Sequence, residues 1–167
     1  GTTDGNGDYT IDLDSAGPGI YTVRVDASLA DAYVDLYYNQ TFLRSQAQGI
    51  SVGSNQAVTG INFSLSLGYE IVGTVRSSGS GLADIDIDVY ASNGEFLSGY
   101  PGTTAVGGTY TLGALPPGDY FIKADPDPAL SQFFVSNYYG DSPSITGATA
   151  ITITGTSRSG IDIDLVP

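Results

Sequence analysis

Residues 83–91 read ADIDIDVYA, an alternation that sets Ile85, Ile87 and Val89 on one face of an extended chain and Asp84, Asp86 and Asp88 on the other. Successive side chains of a strand point to opposite faces, so this segment is a strand with one face in a core and the other in water. Segments of the same kind lie on both sides of it. Residues 70–76 precede it across a Ser/Gly turn, and residues 109–112, 120–124, 133–138, 150–154 and 161–166 follow it. Short strands at regular spacing with Gly and Pro between them predict an all-β sandwich. No window holds apolar residues at the spacing of an amphipathic helix.

The same order of segments occurs twice. Residues 2–11, TTDGNGDYTI, align with residues 103–112, TTAVGGTYTL. A Pro-Gly turn and a strand follow in each copy, PGIYTVRVD from Pro18 and PGDYFIKAD from Pro117. Then come Tyr37-Tyr38 and Tyr138-Tyr139, and the copies end on GINFSLSL from Gly60 and GIDIDLVP from Gly160. A repeat of about 100 residues is the length of a whole β domain rather than of a solenoid unit. The division expected is 1–67 and 68–167, with strands at 9–14, 20–26, 33–38 and 61–67 in the first copy. Ile11, Leu13, Ile20, Val23, Val25, Ile61, Phe63 and Leu65 are its expected core-facing residues. The second copy opens with 69–102, two strands and their turn, and nothing equivalent precedes Gly1. The first sandwich is therefore expected to lack its two opening strands.

Composition limits the chemistry. The 167 residues include no Cys, His, Met or Trp, so thiol nucleophiles, imidazole bases and zinc or haem ligation by those side chains are excluded. A formal charge of −13 repels phosphate backbones and anionic membrane surfaces, so nucleic acid is not an expected partner, and the apolar runs are too short to span a bilayer. Carboxylate pairs are the remaining catalytic option, but they lie on strand faces and turns, so no enzyme is expected.

The residues Gly73-Thr74-Val75, 81–90, 108–112 and 115–124 (the last reading LPPGDYFIKA) resemble the carboxypeptidase regulatory-like domains. They are also similar to the Cna-B and SdrD B-type repeats of bacterial surface proteins. The resemblance spans nearly all of 69–167 and, less two strands, residues 2–67. It implies two tandem transthyretin-like sandwiches serving as a stalk, spacer or ligand-binding module. Some Cna-B relatives carry a Lys–Asn isopeptide cross-link. Here the one lysine is Lys123 on a middle strand, its counterpart is Arg24, and the closing strand offers Asp162 and Asp164, so that cross-link is not expected.

Several residues are candidates for binding. Asp4, Asn6 and Asp8 have the alternating oxygen ligands of a calcium loop, with Asp12 as an extension. Against that, Tyr9 and Ser15 stand where an EF-hand-like loop needs Gly and a bidentate Glu, and the second copy has Ala105, Gly107 and Thr109 instead. A polar hairpin turn is the simpler reading. The rows Asp84, Asp86, Asp88 and Asp162, Asp164 would hold calcium if their strands were neighbours; otherwise they are a solvated outer face. Tyr38 and Tyr139 are candidates for stacking on sugar rings, one ring of each pair facing in and the other out. Asn39 and Asn62 begin glycosylation sequons, which matter only in a host with the machinery.

The function expected is a non-catalytic structural or adhesive module of an extracellular, cell-surface or fibre-forming protein. Its partners are neighbouring copies or adjacent domains, and the open sandwich is completed by strand addition from another chain. Alternatives are a passive spacer within a longer surface protein and a carbohydrate-binding accessory module.

Overall fold

The computed structural model describes residues 1–27 and 32–167, and they form an all-β protein. The helical content among them is two three-residue 3₁₀ turns, Arg44–Gln46 and Ile145–Gly147. The first 67 residues contribute β1 (Gly19–Tyr21), β2 (Arg24–Val25), β3 (Leu36–Tyr37) and β4 (Ile50–Val52). The rest supply β5 (Tyr69–Ser77), β6 (Ser80–Gly81), β7 (Ile85–Ala91), β8 (Gly102–Thr103), β9 (Thr109–Leu115), β10 (Gly118–Pro126), β11 (Asn137–Tyr138), β12 (Ile151–Ile153), β13 (Arg158–Ser159) and β14 (Ile163–Asp164).

Residues 69–167 make two sheets around one core. In the first, β10 lies between β7 and the successive short strands β11 and β12, and β8 pairs with the far edge of β7. In the second, β5 is central. Antiparallel β9 lies along one edge, while β13 and then β14 run parallel to it along the other. The alternation of residues 83–91 turns as expected: Ile85, Ile87 and Val89 are buried, together with Ile71 and Val75 of β5, Leu112 of β9, Tyr120 and Ile122 of β10, and Ile163. Burying such side chains contributes roughly 1.5–3 kcal/mol each, which is what holds these strands to one register.

Residues 1–67 differ from expectation. Segments 9–14 and 61–67 are not strands: Asp14 begins a turn, and Leu67 makes only an isolated bridge with Tyr33. The segment 20–26 is split into β1 and β2, and 33–38 shortens to β3. The unexpected β4 pairs with β1, and β2 pairs with β3, both antiparallel. Of the eight expected core-facing residues none is buried; the buried ones are Val34, Asp35, Leu36 and Ile50. Ile20 lies on the outer face, not in the core as expected. It is 79% exposed, because Tyr21, Val23 and Val25 form the inward set and Ile20 alternates with it.

The two regions touch through residues 42–45 and through Arg24 and Asp35, which lie against Gly99. Phe42 and Leu43 pack against the large core, with the Phe42 ring 6.4 Å from that of Tyr120. The Ser45 amide and hydroxyl both donate to Glu95, the amide at 3.1 Å. At the join, Gly68 lies against the Ala114 backbone, where a side chain would overlap it.

Candidate functional site

The sequence repeat is also a repeat of geometry. β1 pairs with β4 in the same register in which the start of β10 pairs with β12, Tyr21 facing Ile50 as Tyr120 faces Ile151. β2 pairs with β3 as the end of β10 pairs with β11, Arg24 facing Tyr37 as Lys123 faces Tyr138. The hydroxyl of Tyr120 donates to the Pro116 carbonyl at 2.6 Å, four residues upstream, and Tyr21 donates to Gly17 in the same way. The Tyr38 amide donates to the Val23 carbonyl at 2.8 Å, and the Tyr139 amide to that of Ile122 at 2.9 Å.

Against this common frame the missing pairings stand out. In the second copy β5 pairs with β9, β13 and β14, and β7 pairs with β8 and β10. In the first copy the counterparts of β10, β11 and β12 are strands, while the counterparts of β8, β9, β13 and β14 are not. Every pairing that needs β5 or β7 is absent among the described residues of the first copy, and every pairing that needs neither is present. The apolar faces follow suit. Leu112 is 1% exposed and its counterpart Ile11 43%; Leu165 is 2% exposed and Leu65 36%.

The vacant position has a definite floor. In the second copy the Tyr110 hydroxyl reaches beneath β5 and donates to the Ile161 carbonyl at 2.6 Å. Gly73 passes directly over that bond. A Cβ there would overlap the Ile161 carbonyl oxygen and lie 2.8 Å from the Tyr110 hydroxyl, so the crossing admits only glycine without displacement. In the first copy Tyr9 donates to the Ile61 carbonyl, also at 2.6 Å, with its ring 6.4 Å from Phe63. Burial and the neighbouring Tyr38 hold the Tyr9 hydroxyl above its usual pKa. Burial acts more strongly on Tyr110, whose hydroxyl is raised further.

No protein-family model and no curated protein matches the chain. Among solved structures it is similar to a DUF3823 family protein from Parabacteroides merdae, at 14% identity and TM-score 0.35, over 59% of this chain and 46% of that one. It is also similar to the Bacillus anthracis TIE protein, at 19% identity and TM-score 0.39, over 90% of this chain and 24% of that one. The chain thus spans about half the length of the first and a quarter of the second.

The candidate binding residues are scattered over the molecule. Asp4 closes a tight turn: its carboxylate accepts the amides of Asn6 at 2.8 Å and Asp8 at 3.0 Å, and its own amide donates to the Asp8 carbonyl at 2.9 Å. The acidic rows do not meet. Asp86 and Asp88 lie on β7, with Asp84 just before it, whereas Asp162 and Asp164 belong to the other sheet, because β14 pairs with β5. Asp162 accepts the Thr74 amide at 2.9 Å and pairs with Arg76 at 3.1 Å. Burial raises the pKa of Asp88, and Lys123, 3.9 Å away, partly offsets it. Lys123 itself holds Asp125 at 2.5 Å. Among the described residues no three carboxylates converge as a metal site requires.

The tyrosine pairs divide between faces. Tyr139 packs against the core and Tyr38 against Phe63 at 6.4 Å, so the rings named as sugar-stacking candidates are the inward ones. The outward ring of the second pair is Tyr138, 6.0 Å from Tyr90, which in turn packs tilted at 5.5 Å against Phe96. Asn39 and Asn62 are both exposed.

Sequence reasoning missed Tyr9, Tyr110 and Gly73 as a unit. The tyrosines recur at aligned positions, which was a usable signal; the overlying glycine has no local one. It also missed Asp35, a buried carboxylate that holds Arg24 at 2.5 Å and the Ala27 amide at 2.8 Å. A cleft of about 340 Å³ opens beside this pair, lined also by Phe42, Glu95 and Tyr100.

Proposed function

We propose that the chain is a non-catalytic structural or adhesive module of an extracellular or cell-surface protein. In this reading it consists of two related transthyretin-like sandwich repeats, 1–67 and 68–167, of the carboxypeptidase regulatory-like and Cna-B-like kind. The first repeat is completed by strand addition from a segment that the second repeat does not use, in another chain or in an adjacent domain of a longer one. Such a junction is head-to-tail, and head-to-tail contacts build filaments when the rotation does not close a ring. The observation that carries the reading is the selective loss of pairing. The segments left without partners in the first copy are those whose counterparts in the second rest on β5 and β7. Unpaired strand edges beside apolar side chains are templates for strand addition.

The test combines particle size with hydrogen exchange. Material isolated from its native source is imaged by negative stain, and exchange is compared between assembled and dispersed chains. The expected result is regular assemblies in which amides of 9–14 and 61–65 are protected, with that protection lost on dispersal. Equal protection of these segments in a strictly monomeric chain would refute the proposal.

A further inference from the structure

We infer that the vacant position in the first copy selects its occupant by a glycine. The incoming strand must carry an apolar–X–Gly–X–apolar run whose glycine crosses the Tyr9–Ile61 hydrogen bond. The inference rests on the strand-completion reading and adds to it the register and the side-chain pattern of the donor.

The second copy supplies the template. There the crossing strand is Ile71-Val72-Gly73-Thr74-Val75, with Ile71 and Val75 buried on either side of the glycine. Ile71 pairs with Leu112 on one edge and Arg158 on the other; Val75 pairs with Ile163. The first-copy counterparts of Leu112, Arg158 and Ile163 are Ile11, Val58 and Phe63. The donor thus runs antiparallel to residues 8–11 and parallel to 58–64, its two apolar side chains covering Ile11 and Phe63. At the next position the Thr74 amide is accepted by Asp162 at 2.9 Å, and in the first copy Asn62 provides an amide oxygen for the same contact. The Tyr9–Ile61 bond is already made, at the length of its counterpart, so the floor that excludes a Cβ exists before any strand arrives.

A second donor strand has an equally clear place. The counterparts of the β10 residues that face β7 are Tyr21, Val23 and Val25 on the free edge of β1 and β2. In the second copy these positions meet Ala91, Val89 and Ile87. The donor is therefore a pair of strands with the pattern of residues 69–91. The chain's own 69–91 already fills that place in the second copy, so the donor is a further segment with the same pattern.

The experiment uses the full 167-residue chain and a labelled synthetic peptide of residues 69–91 as a surrogate donor. Binding is followed by fluorescence anisotropy and located by hydrogen exchange. A peptide carrying Gly73→Val is compared with it. Because free peptides of this kind self-associate, the same pair is also tested as a graft, with residues 69–102 fused ahead of Gly1 through a flexible linker. The expected result is new protection at 9–14, 21–25 and 61–65, with the valine version at least about tenfold weaker, a difference of about 1.4 kcal/mol. If both versions bind equally and protect those segments, the glycine selection is overturned while strand completion stands. If neither peptide nor graft protects them, the completion reading falls with it.

Discussion

Replacing Leu112 and Ile11 by alanine measures, in one molecule, how much of the first core is missing. The two residues occupy the same place in the repeat, but one is 1% and the other 43% exposed. Truncating a buried leucine removes its transfer energy and leaves a cavity, so Leu112→Ala should cost about 3 kcal/mol. Ile11→Ala removes about three methylene equivalents that are roughly half in water already and leaves no cavity; its cost should be near 1 kcal/mol. For a chain of this length each kcal/mol moves the Tm by about 2–4 °C. The assay is urea unfolding read by hydrogen exchange on peptides covering 9–14 and 109–115, so each copy reports its own loss. With the 69–102 graft in place, Ile11 takes on the surroundings of Leu112, and its alanine variant should then cost about 3 kcal/mol. Equal costs for the two substitutions in the unmodified chain would refute the reasoning, since they would mean that Ile11 is packed as tightly as Leu112.

Two further outcomes follow from buried polar groups. Burial raises the hydroxyl pKa values of Tyr100, Tyr110 and Tyr120 above the ordinary 10.0, so their stabilising effect is complete below that pH and fades as pH rises beyond it. An ultraviolet titration should show the exposed tyrosines ionising first and these three only together with unfolding, and smooth ionisation of all twelve at their ordinary pH would contradict it. Asp35→Ala leaves the Arg24 guanidinium and the Ala27 amide without their acceptor, at a cost of about 2–3 kcal/mol, whereas Asp26→Ala, on the exposed side of Arg24, should cost under about 1 kcal/mol. Thermal unfolding of the two variants distinguishes them, and similar Tm values would show that the Asp35 contact carries nothing.

The second copy was largely legible because its signals are local and its partners are present. The alternation at Ile85, Ile87 and Val89 places β7, and the Pro-Gly turn before Tyr120 places β10. The first copy shows the limit of such signals. Segments 9–14 and 61–67 have the pattern of strands, but a strand is a pairing, and pairing is set by residues far away in sequence. The short run Ile50–Val52 went unread although its counterpart at 151–153 was recognised, because three residues carry little periodicity of their own. Ile20 misled because apolar Tyr21 stands beside it, and composition does not say which of two neighbours faces in. Whether the acidic rows share one site stays open in the sequence because sheet membership, which separates β7 from β14, is invisible to spacing along the chain.

The charges of the first copy bear on why an open edge does not simply pair with itself. Where the second copy has Thr109 and Gly113, the first has Asp8 and Asp12, and Asp14 lies just beyond. All three are exposed, on the segment that lacks a strand partner. Two such edges brought together antiparallel would set carboxylates against carboxylates, and like charges directly opposite one another destabilise a pair of strands. Charged side chains along an edge are a common means of blocking unwanted pairing. A donor with the pattern of residues 69–76 meets less of that penalty, because only its Glu70 falls beside a carboxylate, that of Asp12. Opposite these positions it presents Thr74 and Glu70 at its ends, with uncharged residues between them and Arg76 beyond. The same carboxylates thus weigh more on self-pairing than on a matched strand, and the Tyr9–Ile61 bond holds the place where its glycine must lie.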